Sequence, residues 1–144
     1  MGDEPQGAVP QLLQHVQKLV MGAKMFKRKI LVSIYSRVAN LYVVDKIEDM
    51  QHYLDKKTRG MIDVLESDGC VFDLFSEKYG LEYYIVLVKQ RISHNLIAHE
   101  VYHLATKMSR DIDIKDEESV AWLTGYLTET IYKVLKSKGF SIAD

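Results

Sequence analysis

The chain has 144 residues, enough for one domain with a single substantial core, and its 47% apolar and 27% charged content suits a globular protein. A formal net charge of -1 offers no bulk attraction to DNA, RNA or an anionic membrane, so neither nucleic acid nor membrane is expected as a partner. Cys70 is the only cysteine, which excludes an internal disulfide and a cysteine-based zinc site and suits a reducing compartment.

The opening MGDEPQGAVP is acidic and lacks the basic-then-apolar pattern of a secretory signal, and residues 1–10 read as a flexible start. No stretch approaches the roughly 18 apolar residues that a membrane span needs, so a cytoplasmic protein is expected. From residue 11 to 144 the pattern reads as one domain. Gln11 to Ala23 has helical spacing, with Leu12, Val16, Leu19 and Val20 on one stripe. Phe26 to Ser36 is strand-like, rich in β-branched and aromatic residues, and its basic cluster reads as a solvated strand start. A polar segment at Arg37 to Asn40 separates it from a second strand at Leu41 to Val44, which could complete a hairpin. Lys46 to Asp55 suggests a short helix. Gly60 to Asp68 would fit a strand ending in an Asp68-Gly69 turn. Cys70 to Phe75 and Leu81 to Lys89 are strands by length and composition, separated by a turn at Glu77 to Gly80. The rest predicts two helices, His94 to Met108 and Asp116 to Lys138, the second capped by Gly139. Strands precede helices, which predicts an α+β fold with a mostly antiparallel sheet.

Chemistry concentrates in Ala98-His99-Glu100-Val101-Tyr102-His103. Residues four apart on a helix lie nearly one above the other, so His99 and His103 can present two imidazoles to one zinc ion. Glu100 sits about 100° round the helix from His99, where it can reach a water beside the metal and act as general base and acid. HExxH arises by chance in about one such chain in a hundred, so context must decide. Ile97, Val101, Leu104 and Met108 form the core-facing stripe, and both histidines lie off it. Leu96, Ala98 and Ala105 make the rest of the helix apolar too, which predicts a helix buried all round whose polar groups need a partner such as a metal. The bland alternative is two ordinary helix histidines.

A catalytic zinc takes a third protein ligand from another element. On the last helix, Val120, Leu123, Leu127 and Ile131 fall on or near a core stripe, and Glu118 shares a face with Ala121 and Gly125. Those small residues would let two helices approach closely and bring Glu118 to the metal. Glu117 reads instead as first-turn charge that favours the helix dipole.

HExxH followed by a Glu-x-x-Ala helix resembles the gluzincin metallopeptidases. The segments AHEVYH and DEESVAWLTGYLTE are particularly similar to minimal gluzincin-like domains of phage and prophage genomes. The resemblance covers about the last third of the chain and the strand before it. It implies a small zincin-like domain, a zinc metallopeptidase (a hydrolase of peptide or protein substrates), with ligands His99, His103 and Glu118 and Glu100 as general base. It also implies that the strand Leu81 to Lys89 forms the sheet edge along which a peptide lies. A phage-encoded domain would work in the host cytoplasm or travel with the virion. Full-size gluzincins carry a large helical domain that supplies a His or Tyr to steady the oxyanion. Here Tyr126 and Tyr102 are the local candidates, with core packing as the plainer role for each. The alternative reading is a phage-type structural or interaction protein with a retained, non-catalytic zinc site.

Overall fold

The computed structural model describes residues 25–144, apart from residues 61, 65 and 79. The flexible start at residues 1–10 and the helix expected over Gln11 to Ala23 lie outside the described residues. Among the described residues the elements run β1 (Phe26–Val32), β2 (Arg37–Val44), α1 (Ile47–Thr58), β3 (Gly69–Ser76), β4 (Gly80–Val88), α2 (His94–Asp111) and α3 (Glu117–Ser137). The fold is α+β, as composition and order suggest.

The four strands form one sheet in the order β1-β2-β4-β3. The β1/β2 and β3/β4 pairs are antiparallel, and the central β2/β4 pair is parallel. The sheet is therefore mixed and, as expected, mostly antiparallel, with two of its three pairings antiparallel. A parallel neighbour needs a long crossover, and here α1 and β3 provide it between β2 and β4. This order places β4 inside the sheet. The edge expected of Leu81 to Lys89 belongs to β3 instead.

Two boundaries moved for identifiable reasons. The first strand ends at Val32 because Ser33–Tyr35 form a turn of 3-10 helix, closed by Ser36 in the left-handed region at φ 52°. Arg37 to Asn40, expected as a polar break, pairs with β1 as the start of β2. The described part of Gly60 to Asp68 is not a strand; its buried Val64 instead packs beneath α1.

Alternation along the strands divides the core into two layers. Ala39, Leu41 and Val43 of β2 and Tyr83, Ile85 and Leu87 of β4 face α2 and α3. Tyr42, Val44, Tyr84, Val86 and Phe72 face α1, where the Phe72 and Tyr84 rings stack at 5.0 Å. The central strands are buried on both faces, which explains the unbroken apolar run Tyr83 to Val88 in β4. Helix α2 begins at Ser93, whose side chain accepts from the Leu96 N–H. The chain's last residues return to this cap: Ala143 accepts from His94 N and donates to Ile92 O. Helix α3 begins at Asp116, whose carboxylate accepts from Ser119 N, and ends before Gly139 at φ 75°. Among the described residues no helix is long and apolar enough to cross a membrane.

Leu104 lies at the centre of the larger core layer and is fully buried. Leu104→Ala should lower unfolding stability by about 2–5 kcal/mol, read as a shifted urea midpoint with an unchanged m-value.

Candidate metal centre

Helix α2 has one buried face. Ile97, Val101, Leu104, Ala105 and Met108 pack into the core, whereas Ala98, His99, Tyr102 and His103 are exposed. The helix is thus amphipathic, not buried all round. Ala98 reads as apolar in sequence without facing the core, where a small Ala is at home in water, while Leu96 is half-buried against the core's margin. The histidines face an open groove, not an enclosed site.

His99 and His103 meet as their four-residue spacing requires, with Nε2 atoms 3.1 Å apart and ring centroids at 4.7 Å. At this distance one nitrogen must donate and the other accept, or both must point their lone pairs at one cation. A zinc ion at the usual 2.0–2.1 Å from each would see them at an angle of roughly 100°, close to tetrahedral. The two imidazoles therefore fit a shared metal.

Glu100 points the other way round the helix, toward β3. It is 5% exposed, and its carboxylate has no hydrogen-bond or ion-pair partner among the described residues. Burial raises its pKa above the ordinary carboxylate range, while the neighbouring His99 and His103 pull it back. Gly69 makes this placement possible. A Cβ there would stand 2.9 Å from the Val86 carbonyl oxygen, 3.2 Å from Leu96 Cδ1 and 3.3 Å from Glu100 Cγ. The strand and the helix touch where only glycine fits. Cys70 lies beside this contact, and burial with the nearby Glu100 pushes its thiol up to about 12, which favours the protonated form.

Two cavities open on either side of Glu100. One, of about 510 Å³, is lined by Gly69, Cys70, Val71, His99, Glu100, His103, Thr106, Lys107 and Arg110. The other, of about 320 Å³, is lined by Asp68, Gly69, Arg91, Ser93, Asn95, Leu96, His99 and Glu100. Their shared residues, Gly69, His99 and Glu100, make them two arms of one groove between α2 and β3. Among the described residues, the β3 side of that groove is an unpaired strand edge. Asp68 accepts from Val88 N, so in the antiparallel ladder the alternate residues Gly69, Val71 and Asp73 turn their backbone N–H and C=O outward.

Glu118 does not join the histidines. It is exposed, as are Ala121 and Gly125 on the same face of α3, and a Cβ on Gly125 would meet nothing within 4 Å. The small residues face solvent and bring no helix close. Among the described residues no three of His, Cys, Asp and Glu form a group that could hold a metal ion. The cause is loop length. Only residues 112–116 connect α2 to α3, so the two pack as an antiparallel hairpin and Glu118 lies beside the last turn of α2. That is roughly 10 Å along the helix axis from His103, at 1.5 Å per residue.

The two tyrosine candidates separate. The Tyr126 hydroxyl donates to the Leu31 carbonyl at 2.6 Å and its ring stacks on Trp122, away from the groove. Tyr102 is 65% exposed with its ring 6.0 Å from that of His103, so it is not a core residue and remains near the site. Sequence reasoning missed Gly69, although a Gly at the start of a β-rich run is a recognised mark of close backbone approach.

No family model, curated protein or solved structure matches this chain.

Gly69→Ala should cost about 1–3 kcal/mol of stability, because either the β4 carbonyl or the Glu100 stem must move. Chemical denaturation measures it; a cost within error of zero would mean that the strand and helix are not in this contact.

Proposed function

We propose that the chain is a small zincin-like domain and a zinc-dependent hydrolase of peptides. The observation that carries this reading is Glu100, 5% exposed, lining the groove and without a hydrogen-bond or ion-pair partner among the described residues, beside two imidazoles 3.1 Å apart and a strand edge that no described strand covers. His99 and His103 would hold the ion through Nε2. Zinc bound there supplies Lewis acidity, which polarises a carbonyl and makes water a nucleophile near neutral pH.

The chain's own groups account for the remaining work. An extended peptide adds to the outer edge of β3, accepting and donating hydrogen bonds at Gly69, Val71 and Asp73. That register fixes one peptide carbonyl beside Glu100. The Glu100 carboxylate, raised in basicity by burial, takes a proton from the attacking water and returns it to the departing amine. Its lack of a competing partner leaves both oxygens available for this transfer. Tyr102, exposed with its ring 6.0 Å from that of His103, is a hydroxyl able to turn toward a substrate.

A second reading has one observation in its favour, the position of Glu118 on the outer face of α3. With no third ligand beside the histidines, the site would serve a structural or interaction protein that binds zinc without catalysis.

Elemental analysis after dialysis without chelator should find about one zinc per chain, lost in His99→Ala and in His103→Ala. Glu100→Gln should keep its zinc and lose peptide hydrolysis by about a hundred-fold or more. Zinc-free wild type would overturn both readings; a zinc-loaded protein whose activity survives Glu100→Gln would overturn the mechanism. Glu118→Gln tests the third ligand. Retention of zinc, which the exposed position favours, assigns that place to another donor.

A further inference from the structure

The histidine face of α2 does not stop at His103. His99, His103, Thr106 and Arg110 follow one another at spacings of four, three and four, a single stripe along the helix, and all four line the larger arm of the groove with Lys107. The groove is therefore polarised. At one end lie the imidazoles and Glu100, and at the other lie two cations.

Those cations differ in what they already hold. The Lys107 ammonium stands 3.6 Å from the Asp73 carboxylate on β3, so its charge is answered within the fold. Arg110 is exposed, and its guanidinium has no carboxylate partner among the described residues. Glu118, level with it on α3, forms no ion pair with it, and the acids nearest to it in sequence are engaged elsewhere. Asp111 accepts from the Tyr83 hydroxyl at 2.7 Å, and Asp113 pairs with Lys115 at 3.6 Å. Glu100, the one carboxylate lining this arm, sits nearly three helical turns away. By contrast the smaller arm is internally balanced, because Asp68 and Arg91 face each other at 3.9 Å.

A plainer role exists for Arg110, since a cation in the last turn of a helix favours the macrodipole by about 0.3–1 kcal/mol. Any azimuth on that turn would serve this purpose equally. The stripe instead places Arg110 in line with the histidines and inside the cavity. A guanidinium is planar and presents paired N–H donors that match a carboxylate in a bidentate fork.

We infer that Arg110 determines specificity, selecting a peptide that carries a carboxylate at the cationic end of the groove. This rests on the reading of the groove as a peptide site. Seven residues of helix separate His103 from Arg110, roughly 10 Å, and an extended peptide covers that length in about three residues. The preferred segment therefore has an Asp or Glu side chain, or its own free C-terminus, about three residues from the peptide unit beside His103. The two sources share one chemistry and differ in where the chain may end.

The test is equilibrium binding of fluorescein-labelled decapeptides to the full-length Glu100→Gln chain with zinc, which binds without turnover. Each peptide is made with Glu or Gln at one scanned position and with a free or amidated C-terminus. The Glu or free-carboxylate form should bind about ten-fold more tightly than its neutral counterpart, and the advantage should shrink in high salt. Dependence on the scanned Glu identifies a side chain; dependence on the free terminus identifies an exopeptidase-like end. Arg110→Glu on the same background should abolish or reverse the preference, and Arg110→Lys should retain part of it. Equal affinity for charged and neutral peptides, a preference that survives Arg110→Glu, or no binding of either would overturn the inference. Hydrolysis of an unbiased peptide mixture by zinc-loaded wild type reports separately on the reaction. Cleavage without an acidic preference removes only the role of Arg110. An acidic binding preference without cleavage removes the reaction and leaves the role standing.

Discussion

The burial of Ile97, Val101, Leu104 and Met108 against the sheet fixes the rotation of α2 about its own axis, and the geometry of the groove follows from that rotation. Four large side chains each contribute roughly 1.5–3 kcal/mol when buried, so turning the helix by even one residue's angle would forfeit several of them. With the core stripe fixed, Glu100 must point at β3 while His99 and His103 point into the open. The carboxylate becomes buried because it lies at the margin of the core stripe. The imidazoles stay wet because they lie beyond it. One helix thereby places a desolvated base next to two solvated ligands, without any loop having to be held in position.

The sheet completes the arrangement through topology. Placing β4 inside and β3 outside leaves the strand next to the histidines with one edge unpaired among the described residues. Gly69 brings that edge into contact with the helix, and the ion pair between Asp73 and Lys107 ties the two together four residues further along the strand. The groove is thus clamped at two points. Between them β3 and α2 run side by side, which is why strand positions and helix positions can be matched along its length.

Much of this was legible in sequence because it depends on local periodicity. The helix His94 to Met108, its core stripe and the meeting of His99 with His103 all follow from a repeat of 3.6 residues and need no knowledge of the rest of the fold. The β-rich segments were legible for the same reason. Strand order was not, because nothing local distinguishes an edge strand from a central one when both are apolar. Tyr83 to Val88 is apolar without a break because both its faces are covered, whereas the edge strand GCVFDLFS carries Asp73 in its middle and the exposed Phe75. That difference in polarity was the available signal. The burial of the helix was overread because Ala98 counts as apolar in a pattern but has too little surface for its exposure to cost much.

Glu118 shows where pattern reasoning meets a geometric limit. A Glu-x-x-Ala sequence on a second helix specifies which residues share a face, but not which way that face turns or how far along the partner helix it falls. Both are set here by the hydrophobic stripe Leu123, Leu127 and Ile131, which must face the sheet, and by the length of the connection. A five-residue link makes a tight antiparallel hairpin, and in such a hairpin early residues of the second helix oppose late residues of the first. A carboxylate at the level of His103 would have to come from about Gly125, one with His99 from about Glu129. Glu129 is exposed and paired with Lys133 at 3.1 Å, so that level offers no free donor either. The hairpin therefore sets the first turn of α3 beside the Arg110 end of α2, and because the core stripe of α3 turns to the sheet, none of its residues lines the groove that the histidines line.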